Sequence, residues 1–303
     1  MSKRFGDRLA VDSVDLRIRR GVAFGYLGPN GAGKTTLIRM LLGLTKPTTG
    51  SVRLLGRPMP QERAQALARV GAIVEEPRFH PYLTGRENLE IVAAAREREA
   101  HGRIDAAIAR VGLAARANDR VANYSTGMRQ RLGVARCLLG DPELLLLDEP
   151  MNGLDPAGME EFRELMAGFV AEGRTVVLSS HLLDEVEKTC DEVAIVDRGR
   201  IVAQGSLDEL TGGNVQTLLV STDGDRRARE LAVADTRVAR VEPRGDGLLV
   251  ELRADTETSI REVAADLNRK LVLAGVAVHR LEHQRVSLEQ RFLEITSRLE
   301  HAA

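Results

Sequence analysis

The sequence predicts an α/β fold: a buried parallel sheet with an antiparallel β flank and an inserted helical subdomain, followed by a small α+β unit. Three observations carry it. A glycine-rich loop, Gly28-Pro29-Asn30-Gly31-Ala32-Gly33-Lys34-Thr35-Thr36, stands between an apolar run at 22–27 and the helical pattern Leu37, Ile38, Leu41, Leu42. Two further apolar runs, 144–147 and 176–178, end in acidic or polar residues, as buried parallel strands do at the edge where ligands gather. Beyond Gly212-Gly213 the periodicity switches repeatedly between strand and helix, which marks a separate unit.

Residues 9–27 and 50–57 alternate as short strands and make the antiparallel flank. The loop at 28–36 fits G-x-x-x-x-G-K-[ST] without a mismatch. Its glycines let successive N–H groups turn inward toward anionic oxygens, and the helix that follows adds its positive dipole end. Lys34 reaches β- and γ-phosphates and the Thr35 hydroxyl holds Mg²⁺. The apolar strand 70–74 then runs into Glu75.

Residues 82–140 are almost wholly helical in pattern. Thr84 and Glu87 open this stretch as a capping box, and the charged run 96–103 reads as a solvated helix face. Within it, Tyr124-Ser125-Thr126-Gly127-Met128 starts another helix with Ser125 as N-cap. A hydroxyl, a glycine N–H and a helix N-terminus make a second anion site, although an ordinary capped helix has the same residues. Strand 144–147 delivers Asp148 to a Mg²⁺ shell and Glu149 to the attacking water. Alone, that pair also fits solvated acids at a strand end; downstream of a phosphate loop the functional reading prevails. His181 follows the strand that ends at Ser179-Ser180.

These motifs, in this order and spacing, resemble the ATP-binding cassette (ABC) ATPases, with high specificity over residues 1–210. The resemblance implies a P-loop ABC ATPase core that binds ATP and Mg²⁺ and hydrolyses ATP. It makes Gly28, Pro29, Asn30, Gly31, Ala32, Gly33, Lys34, Thr35 and Thr36 the nucleotide loop, and Phe5 the aromatic stacked on adenine. Glu149 and His181 are the catalytic pair it implies, with Thr35 and Asp148 at the metal. Ser125, Thr126, Gly127 and Met128 are then the signature loop, which acts on ATP held by a second subunit; Asp155 belongs to the loop spanning that interface. Two departures stand out. Tyr124, Thr126 and Met128 replace the commonest signature residues, and Glu75 takes the slot where the family has a Gln at the metal. The family also has some ten residues before Phe5, so a first strand is expected to be absent or cut short here.

The partners implied are a second ATPase subunit, a homodimer in the simplest case, and a separately encoded membrane permease. The implied place is cytoplasmic, peripheral on the inner face of the membrane. Composition agrees: 43 Lys+Arg against 44 Asp+Glu give net −1, no footprint for nucleic acid. No apolar run approaches the ~20 residues of a spanning helix, and no signal-peptide pattern opens the chain. The two cysteines, Cys137 and Cys190, lie in helical patterns and read as small apolar packers.

The expected division is 1–211 for the ATPase domain, its helical subdomain at about 82–140, and 214–303 for an accessory domain. The accessory pattern is strand 215–221, helix 225–232, strands 237–243 and 247–253, helix 257–273, strand 276–283 and helix 288–299, an α+β order of ferredoxin-like type. Its tail resembles ABC ATPases of daunorubicin- and bacitracin-resistance systems, which implies export of a drug, antibiotic or peptide. Ribosome- or DNA-acting relatives compete, but those carry two cassettes or long coiled coils, and this chain has neither. A nucleotide-gated binding module without turnover is opposed by Glu149 and His181.

Overall fold

The computed structural model describes residues 1–211, 216–245, 247–253, 259–284 and 287–293. It divides into two compact units, Met1–Ser206 with Phe292–Ala303, and Leu207–Arg291. The expected Gly212-Gly213 boundary lies outside the described residues.

In the first unit, β1 (Lys3–Phe5) and β2 (Arg8–Val11) pair antiparallel through a turn at Gly6. The next strand is β3 (Ala23–Leu27), so the expected run of strands over 9–27 is interrupted. Residues 14–19 keep the alternation, with Val14 buried and Leu16 and Ile18 half-buried against the core, yet form no ladder. The reason is the lack of a neighbour at bonding distance. Val14 exchanges hydrogen bonds with Met1, but from there the segment borders a cavity of about 860 Å³ that also touches residues 50–56. That second stretch is a hairpin, β4 (Val52–Leu54) and β5 (Arg57–Met59), as the alternation requires.

Between β3 and β4 runs α1 (Lys34–Leu41), with Leu37, Ile38 and Met40 buried. After the hairpin come α2 (Arg63–Ala68) and β6 (Val70–Ile73). The helical subdomain holds α3 (Gly85–Ala94), α4 (Glu99–Gly102), α5 (Ile104–Arg110) and α6 (Thr126–Leu138). The Thr84–Glu87 capping box is complete in both directions. The charged run 96–103 is not one helix face, as expected from the pattern. The helix breaks after Ala94 and restarts at Glu99, because Ala100 turns into the core and Arg103 bonds Glu97 and the Leu139 carbonyl. Then follow β7 (Leu144–Asp148), α7 (Pro156–Ala171), β8 (Thr175–Ser180), α8 (Leu183–Thr189), β9 (Glu192–Asp197) and β10 (Arg200–Ser206). Cys137 lies inside α6 and burial pushes its thiol up to about 11. Cys190, also buried, ends α8 in extended conformation and is not itself helical.

The central sheet has the order β10-β9-β3-β8-β7-β6 and is parallel except at β10. Its register does the functional placing. Leu27, the last residue before the glycine loop, pairs with Ser180, and Asp148 pairs with Ser179. Three strands thus end side by side, and they bring Gly28, Asp148–Glu149 and His181 to one edge.

The second unit contains α9 (Leu207–Leu210), β11 (Thr217–Thr222), α10 (Asp225–Val233), β12 (Val238–Arg244), β13 (Gly247–Leu252), α11 (Ile260–Leu273) and β14 (Val278–Gln284). The antiparallel order β12-β13-β11-β14 is that of a split β-α-β arrangement. The helix stripe Val263, Leu267, Leu271 fills a core with Leu218, Val220 and Val250, and Ile260 packs at its margin. Of the expected last helix, 288–293 is helical and the Gln290 N–H bonds the Ser287 hydroxyl; 294–299 lie outside the described residues.

Candidate functional site

The glycine loop is fixed by lack of room. A Cβ on Gly28 would stand 2.2 Å from the Val196 carbonyl, and one on Gly33 would stand 2.2 Å from that of Ala10. Gly33 also caps α1 at φ 99, a left-handed geometry that glycine takes without strain. The two close approaches hold the loop between β9 of the central sheet and β2, beside a cleft of about 440 Å³. Phe5, Asn30, Gly31, Lys34 and Thr35 line that cleft, as do Gly33 and Thr36. Phe5 is half-exposed at the mouth, where the register of β1 with β2 puts it. Pro29 and Ala32 are in the loop but do not line the cleft.

Lys34 is 6% exposed, too buried for a charged group without partners. Its Nζ donates to the carbonyls of Gly28 at 2.6 Å and Pro29 at 3.1 Å, and lies 3.1 Å from Glu149 Oε1. The other carboxylate oxygen of Glu149 is 2.9 Å from His181 Nδ1. Glu149 is thus strung between a phosphate-seeking cation and an imidazole. Its φ of 48 marks a left-handed turn where the chain leaves β7. Asp148, 2% exposed, accepts from the Ser179 hydroxyl at 2.6 Å, and that oxygen accepts the Glu149 N–H at 2.9 Å. Ser179 therefore locks both acids.

Sequence reasoning quoted Ser179 only as part of the run before His181; its pairing with Asp148 could be found only from the strand register. It also missed Arg8, which lines the cleft, carries no motif signal and donates to the Gly31 carbonyl at 3.1 Å. Asn152, legible only as part of the Asn152–Asp155 interface loop, lines the cleft as well. Glu75 lies outside the cleft lining and pairs with Arg39 at 2.7 Å.

The signature residues form a different cleft of about 430 Å³, with no lining residue in common with the first. Ser125, Thr126 and Gly127 line one side and Asp155 the other; Met128 does not line it. Ser125 caps α6 by accepting the Met128 N–H, and Asp155 caps α7 by accepting the Gly158 N–H. A Cβ on Gly127 would meet Leu154 at an ordinary 3.4 Å and the Ser125 hydroxyl at 3.9 Å. Packing within the chain sets no need for glycine there.

Fold and cleft together define a P-loop nucleoside-triphosphate-binding protein, with its phosphate loop at the carboxyl edge of a parallel sheet. A family model described as ABC transporter matches residues 11–152. An ABC transporter ATP-binding protein of Bacillus subtilis is 39% identical over 98% of this chain and 94% of its own. The bacitracin transport ATP-binding protein of Bacillus licheniformis is 36% identical over 97% and 95%. A bacterial ABC transporter cassette solved as a dimer superimposes with TM-score 0.61 at 25% identity, over 68% of this chain and 95% of that one. The chain belongs to the ABC transporter ATP-binding proteins, and it is the ATP-hydrolysing subunit of such a transporter. Among the described residues no helix is long and apolar enough to cross a membrane.

Proposed function

We propose that two copies pair so that the phosphate cleft of one faces the signature cleft of the other, with ATP between them. The observation that carries this is the division of the motif residues over two separate clefts. A glycine at 127 without a packing reason fits a surface that another molecule must approach closely. The similar cassette solved as a dimer supports the same reading.

In this reading the loop N–H groups and Lys34 hold the β- and γ-phosphates, and Phe5 stacks on the base. Glu149 takes a proton from water, and His181 holds the Glu149 carboxylate and the γ-phosphate side of the site. Ser125, Gly127 and the N-terminus of α6 complete the phosphate shell from the second copy, while Asp155 spans the joint. The donor set fits Mg²⁺. Among the described residues no group of three or more His, Cys, Asp or Glu side chains converges on a point. Mg²⁺ suits such a place, since it is held by one or two carboxylates and hydroxyls plus substrate phosphates. Thr35, Asp148 and Glu75 would hold it, and it would neutralise phosphate charge.

We assign residues 1–211 to the ATPase domain and 214–303 to the accessory domain, although Leu207–Leu210 fall in the second compact unit. The subunit drives a separate membrane permease from the cytoplasmic face, and the bacitracin transport relative supports a drug, antibiotic or peptide as cargo. The test of the hydrolytic core is Glu149→Gln. It is expected to bind ATP, hydrolyse it at least ~100-fold more slowly, and accumulate as an ATP-bound dimer. Unchanged turnover would remove Glu149 from the role.

A further inference from the structure

A carboxylate beside a triphosphate is an electrostatic liability, and Glu75, though outside the cleft lining, follows a strand that ends at the same sheet edge as Glu149. Ile73 of β6 pairs with Leu147 of β7 in parallel register, so Glu75 and Glu149 each follow that pair by two residues. Both turn out of their strands through a left-handed conformation, φ 59 and φ 48. These are the same edge and the same turn. Glu149 answers to Lys34. Glu75 answers to Arg39, whose Nη2 donates to its Oε1 at 2.7 Å.

Arg39 is four residues beyond Thr35 on α1, one helical turn along the same face as the hydroxyl at the phosphate cleft. The helix that carries the phosphate-binding residues therefore also carries the counter-ion of Glu75. Both partners are well exposed, 44% and 59%, so the pair adds little to folding. Its effect is on local charge.

We propose that Arg39 is the positioning residue for Glu75: it neutralises and orients that carboxylate, which lets an acid occupy the strand end beside bound nucleotide. Arg39 then matters to nucleotide binding only while residue 75 is charged. The inference rests on the nucleotide-site reading, and it is separate from the assignment of Glu75 to the metal.

The test is a double-mutant cycle on the full chain, read as the Kd of a fluorescent ATP analogue at low salt, in EDTA and in Mg²⁺. Arg39→Gln is expected to weaken binding in EDTA on the order of fivefold, an effect that shrinks as salt screens exposed charges. Arg39→Lys is expected to keep most of the affinity, because it keeps the cation. In EDTA, where residue 75 holds no metal, Glu75→Gln alone is expected to bind at least as tightly as the wild type, and Arg39→Gln with Glu75→Gln is expected to bind as Glu75→Gln does. Melting temperatures should stay level across the set. An Arg39→Gln protein that binds as tightly as the wild type overturns the proposal, and so does a double variant as weak as Arg39→Gln. The Mg²⁺ titration reads the metal assignment on its own. If Glu75→Ala needs no more Mg²⁺ than the wild type, Glu75 is not at the metal, and the charge-pairing result is judged by the EDTA cycle alone.

Discussion

The phosphate cleft and the signature cleft are built to opposite rules. In the first, every charged group is engaged by the chain itself: Lys34 by two carbonyls and Glu149, Glu149 by His181, Asp148 by Ser179. Two of its loop glycines, Gly28 and Gly33, are demanded by backbone contacts at 2.2 Å. In the second, the hydrogen bonds that Ser125 and Asp155 make among the described residues cap their own helices, and Gly127 has room for a side chain. One cleft holds its motif charges in a network of internal bonds; in the other the motif residues cap helices. The contrast teaches where selection of residue type comes from. Internal packing explains Gly28 and leaves Gly127 unexplained.

That contrast can be broken by substitution. The largest effect is expected at Gly127. Gly127→Asp puts a carboxylate in the first turn of α6, where the helix dipole favours it, so the melting temperature is expected to hold or rise slightly. Hydrolysis is expected to fall ~100-fold or more, because a phosphate-facing donor surface now repels phosphate. Wild-type turnover in a folded Gly127→Asp protein would make the second cleft an ordinary helix start. Gly28→Ala is expected to behave in reverse, as an overpacked backbone site. Its stability loss is about 1–3 kcal/mol in urea denaturation, as for other crowded insertions, with nucleotide binding lost alongside. The smallest change sharpens the comparison by supplying a cap with no functional partner. Thr84→Ala breaks the capping box of α3 and is expected to cost about 1 kcal/mol while ATP affinity stays unchanged. A larger loss of activity than of stability there would mean that capping residues in this subdomain cannot be told from phosphate-facing ones.

Much of this was legible in the sequence because the signals are local. The glycine loop needs its glycines close together, the capping box needs four consecutive residues, and the buried strands carry the uninterrupted apolar runs 144–147 and 176–178. What the sequence hid was anything set by register or by a neighbour's absence. Ser179 locks Asp148 only because β7 and β8 pair as they do. Residues 14–19 alternate like a strand and are none, since strand identity needs a bonding partner that periodicity cannot report. The run at 96–103 looked like a solvated helix face because its charges mask one buried alanine, Ala100, which fixes the break. Arg39 carried no motif at all. Its meaning came from the ion pair with Glu75.

The central claim, that one working site is assembled from the phosphate cleft of one copy and the signature cleft of another, is tested most directly by mixing two inactive proteins. Lys34→Ala removes the phosphate cation and Gly127→Asp blocks the signature surface, so each homodimer has no intact site. Exchange of subunits in a one-to-one mixture should pair the intact phosphate cleft of the Gly127→Asp chain with the intact signature cleft of the Lys34→Ala chain. The account predicts recovery to about a quarter of wild-type ATP hydrolysis, since random pairing gives one intact composite site in half of the two-fold dimers. A mixture that exchanges subunits yet stays as inactive as its components would contradict it.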